Sequence, residues 1–408
     1  MRTGYGVFFG RLPGTTIRSA LTRTALPSST TRIRLTPSAV VDCPQVANQG
    51  FGYPCAFLTQ PFGTASTTSA MVFDRHFRLP AIQQASLSYE RTLGPRVRGS
   101  IGGIMDIDRQ LPGSTDLNIA PATATRLYQL VGGTGAQGVR DGETFALPIY
   151  TARRTPNFGP VTDNLSNGNA SYFGLVLSLD ARLPGALTVR ANYTRSRAID
   201  YGESASGTPR TNGQLDPFTN GYDKGLSSLN YPQLFHATAV WSPRSRFERP
   251  VLRQVAQGWQ IATLVRARSG RPISYDLAGG TRLPGGHQSL NGSGGALYLP
   301  TVGRNTLRLP PSVTMDLRVA RSFAVERRVQ VRASAEAFNL LNHRNLSSVS
   351  QRAYLVGRTV GGVTPLIFQD AATVAAEGLN TLPFGTPTAA GTRIAQERRI
   401  QLSLRVEF

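Results

Sequence analysis

Ile400-Gln401-Leu402-Ser403-Leu404-Arg405-Val406-Glu407-Phe408, at the end of the chain, alternates apolar with polar or charged residues at every step. Successive side chains of a β-strand point to opposite faces, so Ile400, Leu402, Leu404, Val406 and Phe408 share one side and Gln401, Ser403, Arg405 and Glu407 the other. One such strand covers a soluble core as readily as it crosses a bilayer. A crossing strand needs about nine to eleven residues at a tilt of about 45°, which is the length of this one. Recurrence of the pattern is therefore the deciding question.

It recurs nine times more. Tyr5, Val7 and Phe9 share a face near the start, and Ala85, Leu87 and Tyr89 do so in the next clear strand. Val97, Ile101, Met105 and Ile107 follow, with Gly99 and Gly103 on their side. Phe173 to Leu179, Leu187 to Tyr193, Phe235 to Trp241, Trp259 to Val265, Val313 to Val319 and Val329 to Ala337 complete the series. The connections alternate in length. Short links run over 91–96, 182–186, 243–257 and 323–327, and long ones over 109–168, 199–232, 269–311 and 340–396. Long structureless connections are unusual in compact soluble domains, whereas short turns on one rim and long loops on the other are the habit of outer-membrane barrels. Tyr89, Phe173, Tyr193, Trp241, Trp259 and Phe408 lie near strand ends, as interfacial girdles require. The pattern predicts an all-β fold: an antiparallel transmembrane β-barrel, here partial, with about ten clear strands. Long loops lie outside, and strand parity ends the chain in the periplasm of a Gram-negative-type cell. Between Arg11 and Ala81 the pattern is weakest; Thr16 to Thr24 suits a short helix and Thr30 to Leu35 an extra strand.

Composition agrees. The chain has 408 residues with 42 Gly and 27 Pro, as many turns demand. Mean hydropathy is −0.17, and no run approaches the ~18 apolar residues of a membrane helix. Formal net charge is +21, and Lys224 is the only lysine among 44 Lys and Arg. The arginines are scattered, with no basic helix and no basic–aromatic platform, so nucleic-acid binding by a soluble basic β-protein is a distant alternative. A genome that favours Arg as its cation and an electropositive lumen or rim attracting anions both account for the charge.

Motifs for chemistry are weak. Gly133-Thr134-Gly135-Ala136-Gln137-Gly138 fits GxGxxG after a strand over Leu127 to Val131, but Val139-Arg140-Asp141-Gly142 continues as a turn where a dinucleotide fold opens a helix. His76, His236, His287 and His343 are dispersed, and no zinc-protease or serine-nucleophile frame occurs. No enzyme activity, metal or cofactor is expected. Cys43 and Cys55 fit neither a redox pair nor a complete zinc site; a loop disulfide in an oxidising compartment and two separate thiols both suit them. Gly279-Gly280, Gly285-Gly286 and Asn291-Gly292-Ser293-Gly294-Gly295 read as flexible linkers, and Asp200, Glu203, Asp216 and Asp223 as the acidic face of a solvated loop or a ligand contact.

Several stretches resemble the C-terminal barrel region of TonB-dependent outer-membrane receptors, specifically the Oar-like group. They are Arg2-Thr3-Gly4-Tyr5-Gly6-Val7-Phe8-Phe9-Gly10-Arg11-Leu12-Pro13-Gly14, Phe73-Asp74-Arg75-His76-Phe77-Arg78-Leu79-Pro80 and Ile82-Gln83-Gln84-Ala85-Ser86-Leu87-Ser88-Tyr89-Glu90-Arg91. Further on come Tyr193-Thr194-Arg195-Ser196-Arg197-Ala198-Ile199-Asp200, Gly258-Trp259-Gln260-Ile261, Ser269-Gly270-Arg271-Pro272, Gly303-Arg304-Asn305-Thr306 and Ala335-Glu336-Ala337-Phe338-Asn339-Leu340-Leu341-Asn342-His343. The resemblance implies a larger barrel in the complete protein, preceded by a plug domain and an energy-coupling segment. The chain shows neither, and its first residues read as a strand already under way rather than as a secretory leader. Residues 1–408 are then expected to be the C-terminal part of a receptor barrel for an unidentified ligand, or else a passive or adhesive barrel. Implied partners are outer-membrane lipid and lipopolysaccharide, the assembly machinery, and the TonB system through a region outside this chain. The resemblance also implies an assembly signal at the terminal aromatic Phe408, with Leu404 and Val406 behind it.

Overall fold

The computed structural model describes residues 1–24, 45–46, 50–51, 68–133, 138–202, 213–244, 248–326, 329–390 and 397–407. Its main element is one antiparallel wall of ten strands, each bonded to the next in chain order. They are β1 (Arg2–Phe9), β2 (Ala81–Leu93), β3 (Val97–Asp116), β4 (Phe158–Leu183), β5 (Leu187–Asp200), β6 (Gln233–Trp241), β7 (Trp259–Arg268), β8 (Ser312–Glu326), β9 (Val329–Phe338) and β10 (Arg399–Glu407). These are the ten strands that alternation predicts. The meander follows from antiparallel pairing, which short turns can close, whereas parallel pairing needs long crossovers.

Cross-strand register shows why the alternation exists. Tyr89, Ile101, Leu177, Tyr193, Phe235, Ala267 and Val313 stand opposite one another in a single row from β2 to β8. One residue along, the row is Glu90, Ser100, Ser178, Asn192, His236, Arg266 and Thr314. Directly opposed residues share a face, so one face of the wall is apolar and the other polar throughout. The apolar face is bare: Leu175, Leu177, Leu179, Ile400, Leu402 and Leu404 are all exposed. An apolar surface of this extent has lipid as its natural solvent. On the polar face ion pairs join Arg98 to Glu90 (3.4 Å), Arg190 to Asp180 (2.9 Å), Arg266 to Asp316 (3.2 Å) and Arg318 to Glu336 (3.2 Å).

The short links are a turn after Leu93, a turn after Leu183, the segment carrying helix α2 (Pro250–Ala256), and the reversal between β8 and β9. The first long link begins with helix α1 (Gly14–Thr22), where the sequence suggests one; the extra strand expected over 30–35 lies outside the described residues.

Two expectations need correction. Residues 109–168 are not all loop, because β3 continues to Asp116 and β4 begins at Phe158. Register shifts at Asp108/Leu111 and Leu111/Gly113 break the two-residue period there, and Gln110 takes φ 60°. A bulge hides a strand from a reading based on alternation. Nor are the remaining loops loose. Asp276–Ala278, Arg352–Val356, Val363–Phe368, Ala124–Val131 and Thr144–Ile149 form a five-stranded sheet built from three separate long links. Its core contains Tyr128, Leu130, Leu147, Tyr275, Leu277, Leu299, Tyr354 and Leu366, each almost wholly buried. Such side chains contribute about 1.5–3 kcal/mol apiece. The supposed linker glycines Gly280 and Gly292 are packing positions: both have positive φ, and a Cβ there would overlap the carbonyls of Ser289 and Tyr150.

The two faces differ in their tolerance of charge. Arginine at Leu177, near mid-height of the apolar face, should cost about 2–4 kcal/mol, while arginine at Ser178 next to it should cost under about 1 kcal/mol. Urea unfolding of the chain in lipid vesicles measures both; equal costs would refute the assignment of faces.

Candidate functional site: the outer loop layer on the polar wall

Strands β3 and β5 each carry an aspartate up into the loop layer, and buried polar contacts gather around both. Asp116 ends β3 and pairs with Arg153 at 3.0 Å, the two side chains being 5% and 3% exposed. Its other carboxylate oxygen accepts the N–H groups of Asn118 (3.0 Å) and Val161 (2.9 Å). Arg153 also donates through Nε to the Pro284 carbonyl at 2.8 Å, binding the link after β3 to the link after β7. Asp200 ends β5 and is ion-paired with Arg304. The Arg304 Nε donates to the backbone carbonyl of Asp223 at 2.9 Å.

Around Asp223 the seam is tightest. Its Oδ1 accepts the Tyr298 hydroxyl at 2.7 Å and the Leu215 N–H at 3.2 Å. Burial, reinforced by the charge of Asp216, pushes its carboxyl up to about 6, although the bonds from Tyr298 and Leu215 and the Arg304 charge pull the other way. Burial and the Asp223 charge also hold the Tyr298 phenol well above its usual range. Nearby, Asp216 accepts the Tyr150 hydroxyl at 3.0 Å and the Phe218 N–H at 2.9 Å. Asn291 and Ser293 both donate to the Leu215 carbonyl at 2.9 Å, and Tyr128 donates to the Leu290 carbonyl at 2.6 Å. Four long links thus close into one layer.

The acidic residues noticed in the sequence therefore have a different role from a solvated face. Asp200, Asp216 and Asp223 are pins between links, and Glu203 lies outside the described residues. Arg153, Arg304, Tyr150 and Tyr298 were not anticipated. Their partners are distant in the chain, and no spacing rule points to them; the one sequence signal is that Arg304 falls in the Gly303-Arg304-Asn305-Thr306 stretch of the resemblance. Cys43 and Cys55 lie outside the described residues, as does Phe408. Leu404 and Val406 stand exposed on the apolar face of β10, opposite Ala333 and Val331. Of the GxGxxG stretch, residues 134–137 lie outside the described residues, and the segments flanking it pair with one another. Ala124–Val131 pairs back on Thr144–Ile149, and Asp141 accepts the Gly132 N–H at 2.7 Å. Among the described residues no three His, Cys, Asp or Glu side chains gather as a metal site would require.

An antiparallel meander with one continuous lipid-facing side, one ion-paired side and a packed outer layer defines a membrane β-barrel wall. A family model described as outer membrane beta barrel domain matches residues 1–401, and the chain belongs to that family and to the outer membrane. Among solved structures it is similar to the outer membrane transporter YddB from Escherichia coli, with 10% identity and a TM-score of 0.42, over 70% of this chain. The chain spans 31% of that transporter's length. A search of curated proteins finds no match.

Two expectations follow. Arg153→Ala strands the buried Asp116 charge and should cost about 3–5 kcal/mol of loop-layer stability. It would be seen as accelerated amide hydrogen exchange in 276–299 with the wall amides unchanged, and uniform protection would refute the pin. Asp223 holds its proton more tightly in the closed layer than in an open chain. Its contribution is therefore fully present below its ordinary value of 3.8 and is lost as pH rises through about 6. The difference amounts to about 3 kcal/mol. Protection of the Leu215 and Leu299 amides should fall between pH 4 and pH 7 in the wild type, while Asp223→Asn should flatten that dependence.

Proposed function

We propose that residues 1–408 form the C-terminal part of the barrel of an Oar-like TonB-dependent receptor, which binds and takes up an external ligand. The observation that carries this reading is the shared core of the loop layer. Links from four points of the wall fold into one rigid outer surface, as recognition by contact requires. A sieve needs only an opening. The motif resemblance supports the Oar-like assignment. The open edges support a larger barrel: among the described pairings β1 bonds only to β2 and β10 only to β9. A sheet edge cannot stay unpaired in lipid, so further strands of the same protein complete the wall, and the plug and coupling segment belong with them.

In this reading Leu404, Val406 and Phe408 address the chain to the outer-membrane assembly machinery. The TonB system acts through the coupling segment. No catalysis, cofactor or nucleic acid is involved. A passive pore is the second reading, favoured by the ion-paired polar wall, which would line a water-filled channel equally well.

Planar-bilayer recording of the chain purified from outer membranes separates the two. The receptor reading expects no steady conductance from the wild type and the appearance of steps once Arg153→Ala loosens the loop layer. A steady ohmic channel in the wild type would transfer the assignment to the pore. Cross-linking in the native cell tests the coupling: absence of any adduct with the energy-transducing protein of the inner membrane would sink it.

A further inference from the structure

Tight turns join β2 to β3 and β4 to β5 at the inner margin of the wall, but the link from β6 to β7 is long enough to carry helix α2. A helix of 7 residues is too short to be stable by itself, so other parts of the molecule or its surroundings must hold it. The wall does so on one side. Trp259 Nε1 donates to the Val255 carbonyl at 2.9 Å, and the Arg321 guanidinium donates to the Gln254 carbonyl at 2.7 Å. Both carbonyls belong to the last turn, where helix carbonyls lack intrahelical partners. Trp259 stands opposite Arg321, two residues along from the pair Ile261 and Val319 and four from Thr263 and Leu317. Both tethering side chains therefore belong to the apolar face, and the last turn of α2 hangs from the lipid-facing side of the wall.

The other side of the helix is bare. Val251, Val255, Leu252 and Ala256 fall on one arc of about 140°, with Arg253 across from them. Val251, Leu252 and Val255 are 73%, 45% and 56% exposed. The arc adjoins the apolar surface of the wall, where Trp241 and Phe323 are also exposed at the inner ends of β6 and β8. The two tryptophans of the chain, Trp241 and Trp259, thus bracket this link at either end, and tryptophan favours the boundary between hydrocarbon and water. Among the described residues of the link, Arg244, Arg249 and Arg253 are exposed beside a single acid, Glu248, and none of the three forms an ion pair.

We propose that α2 is an interfacial helix seated in the periplasmic leaflet of the outer membrane. Val251, Leu252 and Val255 are immersed among the ends of the phospholipid acyl chains nearest the headgroups, and Arg249 and Arg253 reach the phosphates. Two observations select phospholipid as the occupant. The bare arc is continuous with the lipid-facing side of the wall, because the residues that tether it, Trp259 and Arg321, are themselves on that side. Its charge is complementary as well: a short apolar arc edged by arginines is the composition that binds a phospholipid surface. A soluble periplasmic partner would have to displace lipid from the foot of the wall to reach the same residues. The helix then acts as a foot that fixes the height of β6, β7 and β8 in the bilayer. The inference rests on the barrel's place in the outer membrane and is independent of whether the barrel is a receptor or a pore.

The test uses the full chain purified from outer membranes and reconstituted into nanodiscs of phosphatidylethanolamine and phosphatidylglycerol, which leave both membrane faces open to solutes. Leu252→Cys and Arg253→Cys, each combined with Cys43→Ser/Cys55→Ser, carry a nitroxide spin label. Power saturation reads its collisions with oxygen, which concentrates in hydrocarbon, and with a neutral nickel chelate, which stays in water. The Leu252 label should collide with oxygen and lose contact with nickel, and the Arg253 label should show the reverse. Adding Arg249→Glu/Arg253→Glu to the labelled Leu252 chain should restore nickel contact, since the phosphates then repel the helix. Heat-modifiable migration reports whether each variant is folded. Should the variants fail to fold, the wild type decides by photo-crosslinking. A phospholipid with a diazirine on its acyl chain should label Val251, Leu252 or Val255 as well as the wall strands. Nickel contact at Leu252 equal to that at Arg253 would mean a turn bathed in water. A Leu252 label shielded from oxygen and nickel alike would mean cover by protein. Either result, unchanged collisions in the charge-reversed variant, or crosslinks confined to the wall would overturn the proposal.

Discussion

Every backbone N–H and C=O that enters hydrocarbon must find a partner, because an unmade hydrogen bond there costs several kcal/mol. The ten-strand ladder meets that demand in the wall interior, and the other features of the wall follow from it. Once the ladder is fixed, side chains have only two directions. A slip of one residue on β4 would carry Asp180 into lipid and Leu179 into the polar interior. The positions of the wall's irregularities respect this. Register shifts occur at Ala324/Glu326, by the inner rim, and beyond Asp108, by the outer rim; between them the pairing is unbroken from β1 to β10. Regularity ends where water begins to substitute for missing partners.

The loop layer works by the opposite logic. Its apolar residues turn inward, as in a soluble domain, and its polar residues are pins rather than a wetted surface. The wall supplies anchors for it through Asp116 and Asp200, which stand where β3 and β5 leave the membrane. A buried ion pair contributes little net stability, but the loss of one partner is costly, so these pairs favour one arrangement of the links over many near alternatives. Rigidity is thereby transmitted from the ladder to the outer surface, where a ligand would be met.

This division explains what the sequence revealed. Lipid on one side and a polar interior on the other impose a period of two on each strand, and that period is legible without any structure. All ten wall strands could be read from it, down to the shared face of Val97, Ile101 and Met105. The loop layer has no such outside constraint. Tyr298 meets Asp223 and Arg153 meets Asp116 only because the fold brings distant links together. The extension of β3 past Arg109 was hidden by its bulges. Some of the motif resemblance does acquire a local physical meaning. Asn339 and Asn342 both take positive φ, and Asn339 closes a turn by donating to the His343 carbonyl at 3.0 Å while its own N–H is held by Asp316 at 2.9 Å. Asparagine tolerates that conformation better than most residues, so the Phe338-Asn339-Leu340-Leu341-Asn342-His343 stretch reads as the device that turns β9 into its long loop.

The excess of arginine is informative through its placement rather than its amount. Codon preference explains why Arg replaces Lys across the chain, but it is blind to which face of a strand a residue occupies. On the polar face Arg98, Arg190, Arg266 and Arg318 are paired at close range with Glu90, Asp180, Asp316 and Glu336. On the apolar face the arginines have no acid beside them and stay out of the middle of the band, where a charge would cost most. Arg321 shows what such a residue does when protein is at hand: it lies over Trp259 and Phe323, at 5.2 Å and 4.5 Å from the ring centroids, within cation–π reach of both rings. Arg195 and Arg197, at the outer margin, form no ion pair among the described residues. A guanidinium at the edge of hydrocarbon is stable where it reaches the hydrated, anionic headgroup level. The uneven charge of the wall is therefore the imprint of the two environments it separates.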